Sequence, residues 1–178
     1  MVALSQKMKS VQSNESCLQL RFLPDDKIFG VPWYWHGTGI IIIHFDPWNG
    51  NLLEESYKKY IEWIDDDSKI KEKVQIEKKH NEGVCESLSY YIDGGDDEGM
   101  TSIIHIPNIR TYAILNKKEY GGFEPMDYCP FCGAKLPERL DDKLTEILQK
   151  EYCLNSWRDY KKAPTEFHTD EWWKKRGV

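Results

Sequence analysis

The chain has no long hydrophobic run. Its apolar stretches stop at about four residues, as at 40–43, against the roughly 20 that a helix needs to cross a bilayer. A membrane-spanning helix is therefore not expected. The N-terminus also lacks the charge, apolar core and small-residue cleavage pattern of a secretory leader, so a cytoplasmic location is expected. Cysteine is sparse and odd in number, with five residues at positions 17, 85, 129, 132 and 153. Such a set argues against a disulfide scaffold and suits a reducing compartment in which thiols bind metal. Several signatures of chemistry are missing too. There is no His-Glu-x-x-His pair, and Gly37-Thr38-Gly39 lacks the remaining spacing of a phosphate loop. The acidic runs 65–67 and 96–98 lack the alternating oxygens and distal Glu of a calcium-binding helix-loop-helix. Basic residues are scattered, apart from Lys174-Lys175-Arg176, so nucleic acid is not an expected ligand.

What the chain does contain is enough for one compact domain. Its 178 residues are 40% hydrophobic and 30% charged, which can bury a sizeable core. The charge is uneven. Residues 46–98 hold 15 acids against 7 lysines, a net of −8, while the remainder holds 15 acids against 17 bases, a net of +2. A negative middle repels phosphate backbones and attracts a basic protein surface. The aromatic complement, with seven tryptophans, exceeds what a core requires, so some of it is expected to face a partner.

The expected fold is α+β, a mainly antiparallel sheet with two flanking helices and a zinc-knuckle turn. Residues 1–16 read as a flexible lead-in and 17–178 as a single α+β domain. Leu18, Leu20 and Phe22 alternate as a half-buried strand, and 39–45 carries four isoleucines that suit a central strand. Asn51 and Glu54 have N-cap spacing, and Leu53, Tyr57, Tyr60, Ile61 and Ile64 form a helical stripe. A strand from about Lys73 turns at 80–83 into another over 84–92, where Val84, Leu88, Tyr90 and Ile92 share one face at a period of two. Further strands are expected at 102–106 and 111–115. Pro137 suits the first position of a helix running to about Tyr152, with Leu140, Leu144, Ile147 and Leu148 on one side and Asp141 and Asp142 near its N-terminus. The aromatic tail through Trp157, Phe167, Trp172 and Trp173 should pack back on the fold.

The most informative stretch is Cys129-Pro-Phe-Cys132-Gly133. Two thiols at this spacing sit at the tip of a tight turn, and a glycine after them lets the backbone fold beneath one ion; zinc is the metal this donor set prefers. His36 and His44, with Asp46 as an orienting acid, are the residues from which a hydrolase would have to be built. No Gly-flanked nucleophile accompanies them, and lone histidines beside a strand usually bond backbone groups. Trp33 and Trp35 share one face of an extended stretch and, with the acidic runs Asp65, Asp66, Asp67 and Asp96, Asp97, Glu98, are the candidate partner-binding residues.

From Cys85 onward the chain carries, in order, Cys85-Glu-Ser-Leu, the stretch 103–114 with Arg110 and Tyr112, the Tyr128-Cys-Pro-Phe-Cys-Gly turn followed by Lys135-Leu-Pro137, and the closing Asp170-Glu-Trp-Trp173. In these pieces it resembles an uncharacterised family of small bacterial zinc-ribbon-like proteins. The resemblance covers about residues 85–178 and implies a small zinc-bearing sheet followed by a helix, with no activity attached. It also implies a cysteine pair at the first motif, where this chain has Val84 before Cys85. The metal ligands it suggests are therefore Cys85, Cys129 and Cys132, with His80 as a fourth and His105 as the second choice; the other outcome is that the metal has been lost. The function expected is non-enzymatic protein binding. In its sharpest form that is an immunity or inhibitor protein covering a basic toxin such as a nuclease. The alternatives are a zinc-ribbon adaptor or nucleic-acid module, and a hydrolase using His36 and His44.

Overall fold

The computed structural model describes residues 4–13, 20–25, 27–33, 39–54, 84–92, 102–116 and 122–178. Expectations for the helix beyond Glu54 and for the strand from Lys73 lie outside these residues. Among these residues the architecture is α+β, built from helices and two three-stranded antiparallel sheets. The backbone divides into two compact units, Met1–Ile104 with Ala113–Leu136, and His105–Tyr112 with Pro137–Val178.

The first unit opens where a loose lead-in was expected, with helix α1 (Gln6–Gln12). Ser5 caps it by accepting the Met8 N–H at 3.2 Å, and Met8 and Val11 are buried. A tail with two apolar residues three apart has little helical pattern of its own; docking supplies the order. Strands β1 (Arg21–Leu23), β2 (Ile28–Trp33) and β3 (Gly39–Ile42) follow in that spatial order. Val31 pairs with Ile41 and Phe22 with Phe29, whose rings meet at 4.8 Å. Ile41, Ile42 and Ile43 are all buried, as an isoleucine run should be. Even so, β3 lies at the edge of this sheet among the described residues rather than at its centre.

Helix α2 (Glu86–Ile92) corrects the strand expected over 84–92. On a strand Leu88 and Tyr90 would share a face, yet Leu88 is 0% exposed and Tyr90 47%. Cys85, Leu88 and Ile92 also recur at i, i+3 and i+7, and so short an apolar pattern fits either period. Strands β4 (Ile103–Ile106), β5 (Thr111–Leu115) and β6 (Phe123–Pro125) form the second sheet, with Ile114 opposite Glu124.

The second unit holds helix α3 (Asp141–Tyr152) and helix α4 (Glu171–Arg176). Helix α3 begins later than Pro137 suggested. Leu140 instead donates its N–H to the Ile109 carbonyl at 2.9 Å, and Asp141 and Asp142 occupy the first turn, where their charge suits the helix dipole. Leu140, Leu144 and Leu148 pack with Ala163, Phe167 and Trp172 into one apolar core, so the aromatic tail does fold back. Trp172 donates its indole N–H to Asn108 O at 2.6 Å, which satisfies the one polar atom of a fully buried side chain.

Candidate metal centre

The Cys129–Cys132 turn is shaped by its own backbone. Cys129 N–H donates to Ala134 O at 2.8 Å and Gly133 N–H to Cys129 O at 2.9 Å, while Gly133 takes φ +71°. A Cβ at Gly133 would lie 2.5 Å from the Phe45 ring, so both the positive φ and the close approach require glycine there.

A loop from the first half of the chain, residues 44–53, cradles this turn. The N–H groups of His44 and Phe45 both reach Pro130 O, at 2.8 and 2.9 Å. Asp127 and Tyr128 donate in return to Pro47 O, each at 2.9 Å, and the Trp48 indole N–H reaches Pro125 O at 2.8 Å. The loop is itself tied down by Asp46. That buried carboxylate accepts Ser5 N–H at 2.7 Å, Ser5 Oγ–H at 3.0 Å and Trp48 N–H at 3.0 Å. With these donors on it, Asp46 does not orient His44, whose Nδ1 lies 3.3 Å from Phe131 O. Among the described residues, His44 and Asp46 therefore do not form a base-and-acid pair. His36, its companion, lies outside the described residues.

Cys85 arrives from a third segment, at the start of α2. Its carbonyl accepts Ser89 N–H at 3.0 Å and its sulfur accepts Leu88 N–H at 3.4 Å. Helix geometry thereby sets the sulfur's direction. The Sγ atoms of Cys85 and Cys129 lie 3.4 Å apart, and those of Cys85, Cys129 and Cys132 all fall within 4.8 Å of one another. Cys129 is 0% exposed and Cys85 4%. The side chains of Tyr91 and Phe131 meet at 5.1 Å and help close the surroundings.

Electrostatics follow from the crowding. Hydrogen bonding to Cys132 and Cys85, reinforced by burial, pushes the Cys129 thiol far above its ordinary range. For Cys132 the hydrogen bond with Cys129 and the Ala134 N–H work downward, but Cys85 and burial leave its pKa raised. Three sulfurs this close cannot all ionise alone, and a bound cation inverts that balance by favouring thiolates. Burial lowers the pKa of His44, with the Phe131 carbonyl and Cys85 pulling the other way. Burial therefore favours the neutral ring. A trio of soft donors, two of them buried and Cys132 half-buried, converging from two distant segments is a donor set that fits a metal ion.

The three cysteines named from sequence are thus brought together. His80, Trp35, Asp65, Asp66, Asp67, Asp96, Asp97 and Glu98 lie outside the described residues. Trp33 ends β2, its backbone paired with Gly39. The second-choice histidine, His105, belongs to the other unit, where its ring stacks on Tyr112 at 4.4 Å. Sequence reasoning missed the 44–53 loop as part of the centre. No spacing rule connects His44 to Phe131, 87 positions away.

Fold and site together define a small α+β protein with a three-cysteine cluster able to hold a metal ion. Residues 97–175 match the family model of a domain of unknown function, DUF6980. That match contains Cys129 and Cys132 but neither Cys85 nor the 44–53 loop. No curated protein and no solved structure matches the chain.

Proposed function

We propose that this chain is a non-enzymatic protein-binding protein stapled by a structural zinc ion, and that it inhibits a basic partner, in the manner of an immunity protein against a toxin such as a nuclease. The observation that carries the zinc half is the convergence of Cys85, Cys129 and Cys132, with their sulfurs within 4.8 Å of one another, Cys85 and Cys129 buried and Cys132 half-buried. Soft thiolates select zinc among the abundant divalent ions, and enclosed sulfur-rich zinc sites are structural rather than hydrolytic. The ion would link the start of α2 to the Cys129–Cys132 turn, 44 positions apart, which closes a long loop. The partner half is supported by charge. The net −8 over residues 46–98 favours steering towards a basic surface, and an inhibitor that only has to cover a site needs no chemistry of its own.

Two measurements test this reading. Elemental analysis of untagged protein should return one zinc per chain; none, or a different metal, removes the staple. The tagged chain, retrieved from its own cells at low and high salt, should carry a basic protein that salt releases. A neutral or acidic partner, or a complex indifferent to salt, would sink the inhibitor proposal.

A further inference from the structure

We infer that His44 supplies the fourth ligand of this centre, through Nε2, an assignment that rests on the zinc reading above. Three thiolates leave a zinc ion one donor short of the four that a closed structural site takes. His44 is built into the scaffold of the other donors. Its N–H is held by Pro130 O and its carbonyl by Leu53 N–H at 2.7 Å, so its backbone is fixed against the Cys129–Cys132 turn.

The ring is already oriented by the pattern that metal-binding histidines use. Ligating imidazoles donate their second ring N–H to a carboxylate or a backbone carbonyl, which fixes the tautomer. Here Nδ1 lies 3.3 Å from the carbonyl oxygen of Phe131, the residue just before Cys132. A carbonyl only accepts, so the proton sits on Nδ1 and Nε2 keeps its lone pair. His44 is 8% exposed. Nε2 lies outside the 4.8 Å group formed by the three sulfurs, so ligation requires the imidazole to close on them from a backbone already held beside the Cys129–Cys132 turn. The set of three thiolates and one imidazole then leaves a bound zinc with a net charge of −1. A fourth thiolate would make it −2, which is costlier in a buried site.

X-ray absorption at the zinc edge on the full-length, zinc-loaded chain tests this directly. The expected first shell has three sulfurs at roughly 2.3 Å and one nitrogen at about 2.0 Å, with the outer-shell scattering of an imidazole. In His44→Ala the imidazole scattering should vanish, and zinc affinity measured by chelator competition should fall by roughly tenfold or more. In His44→Cys the shell should become four sulfurs. Imidazole scattering that persists in His44→Ala, or that is removed by His80→Ala instead, overturns the assignment while leaving a zinc site in place. A wild-type shell of sulfur with no imidazole does the same. Wild-type protein that takes up no zinc overturns the underlying reading as well. If His44→Ala does not fold, His44→Cys decides: four sulfurs support the assignment, and three sulfurs with an imidazole refute it.

Discussion

The two compact units hold themselves together by different means. In the second, Leu144 and Leu148 of α3, with Leu140 just before it, pack with Phe167 and Trp172, and all of these lie within about thirty residues of chain. In the first, the centre is assembled from the 44–53 loop, the start of α2 and the Cys129–Cys132 turn, which meet through backbone hydrogen bonds and three sulfurs. The contrast shows where each unit is vulnerable. An apolar core loses stability when volume is removed, whereas a convergent polar centre loses it when its ion or its protonation state changes.

The largest effect should come from Trp172→Ala. It deletes a fully buried indole and leaves the Asn108 carbonyl without its 2.6 Å donor, at a cost of about 3–5 kcal/mol. Hydrogen exchange should show protection lost across Asp141–Tyr152 while residues 126–136 keep theirs and metal uptake is unchanged. If both regions lose protection together, the two units are one cooperative block and the comparison fails.

Metal removal is the converse experiment. With zinc present at 1,000 times its dissociation constant, the ion adds about 4 kcal/mol, so a chelator should lower the melting temperature and unprotect 84–92 and 126–136 first. The pH dependence should change sign between the two forms. In the metal-free protein the thiols of Cys129 and Cys132 have raised pKa values. Their contribution is therefore complete below the ordinary thiol value of 9.0 and is lost as pH rises through the raised ones. The loaded protein needs thiolates, so it loses stability as pH falls and protons displace the ion. Melting temperatures measured with and without chelator should diverge steadily from acid to alkaline pH. Parallel curves would mean the sulfurs hold no metal.

The same contrast explains what could be read from the sequence. Helix α3 was legible because Leu140, Leu144 and Leu148 recur at a helical period, and the Cys turn because two thiols and a glycine leave few other readings. The stretch 84–92 was misread because Cys85, Leu88 and Ile92 on a helix and Val84, Leu88 and Ile92 on a strand are the same letters. What decided between them was burial of Leu88 without Tyr90, a tertiary fact. The 44–53 loop was illegible for a similar reason. Its donors reach the Cys turn through main-chain groups, which every residue carries, so no side-chain pattern announces them.

The smallest effect concerns the helix that sequence reading took for a loose lead-in. Ser5 Oγ accepts the Met8 N–H that opens α1 and donates to Asp46, while Ser5 N–H reaches the same carboxylate. Ser5→Ala removes the cap and one donor to a buried acid but leaves the backbone bond, so a loss of about 1 kcal/mol is expected. The shift should appear in the denaturant midpoint, with faster hydrogen exchange confined to Gln6–Gln12. Lys7 gives the internal control. Its ion pair with Glu124 joins two partly exposed side chains, and removing it should change stability by less than about 1 kcal/mol. Were Ser5→Ala no more costly than Lys7→Ala, burial of Met8 and Val11 alone would hold α1 in place. The first unit would then share, at its N-terminal edge, the purely apolar logic of the second.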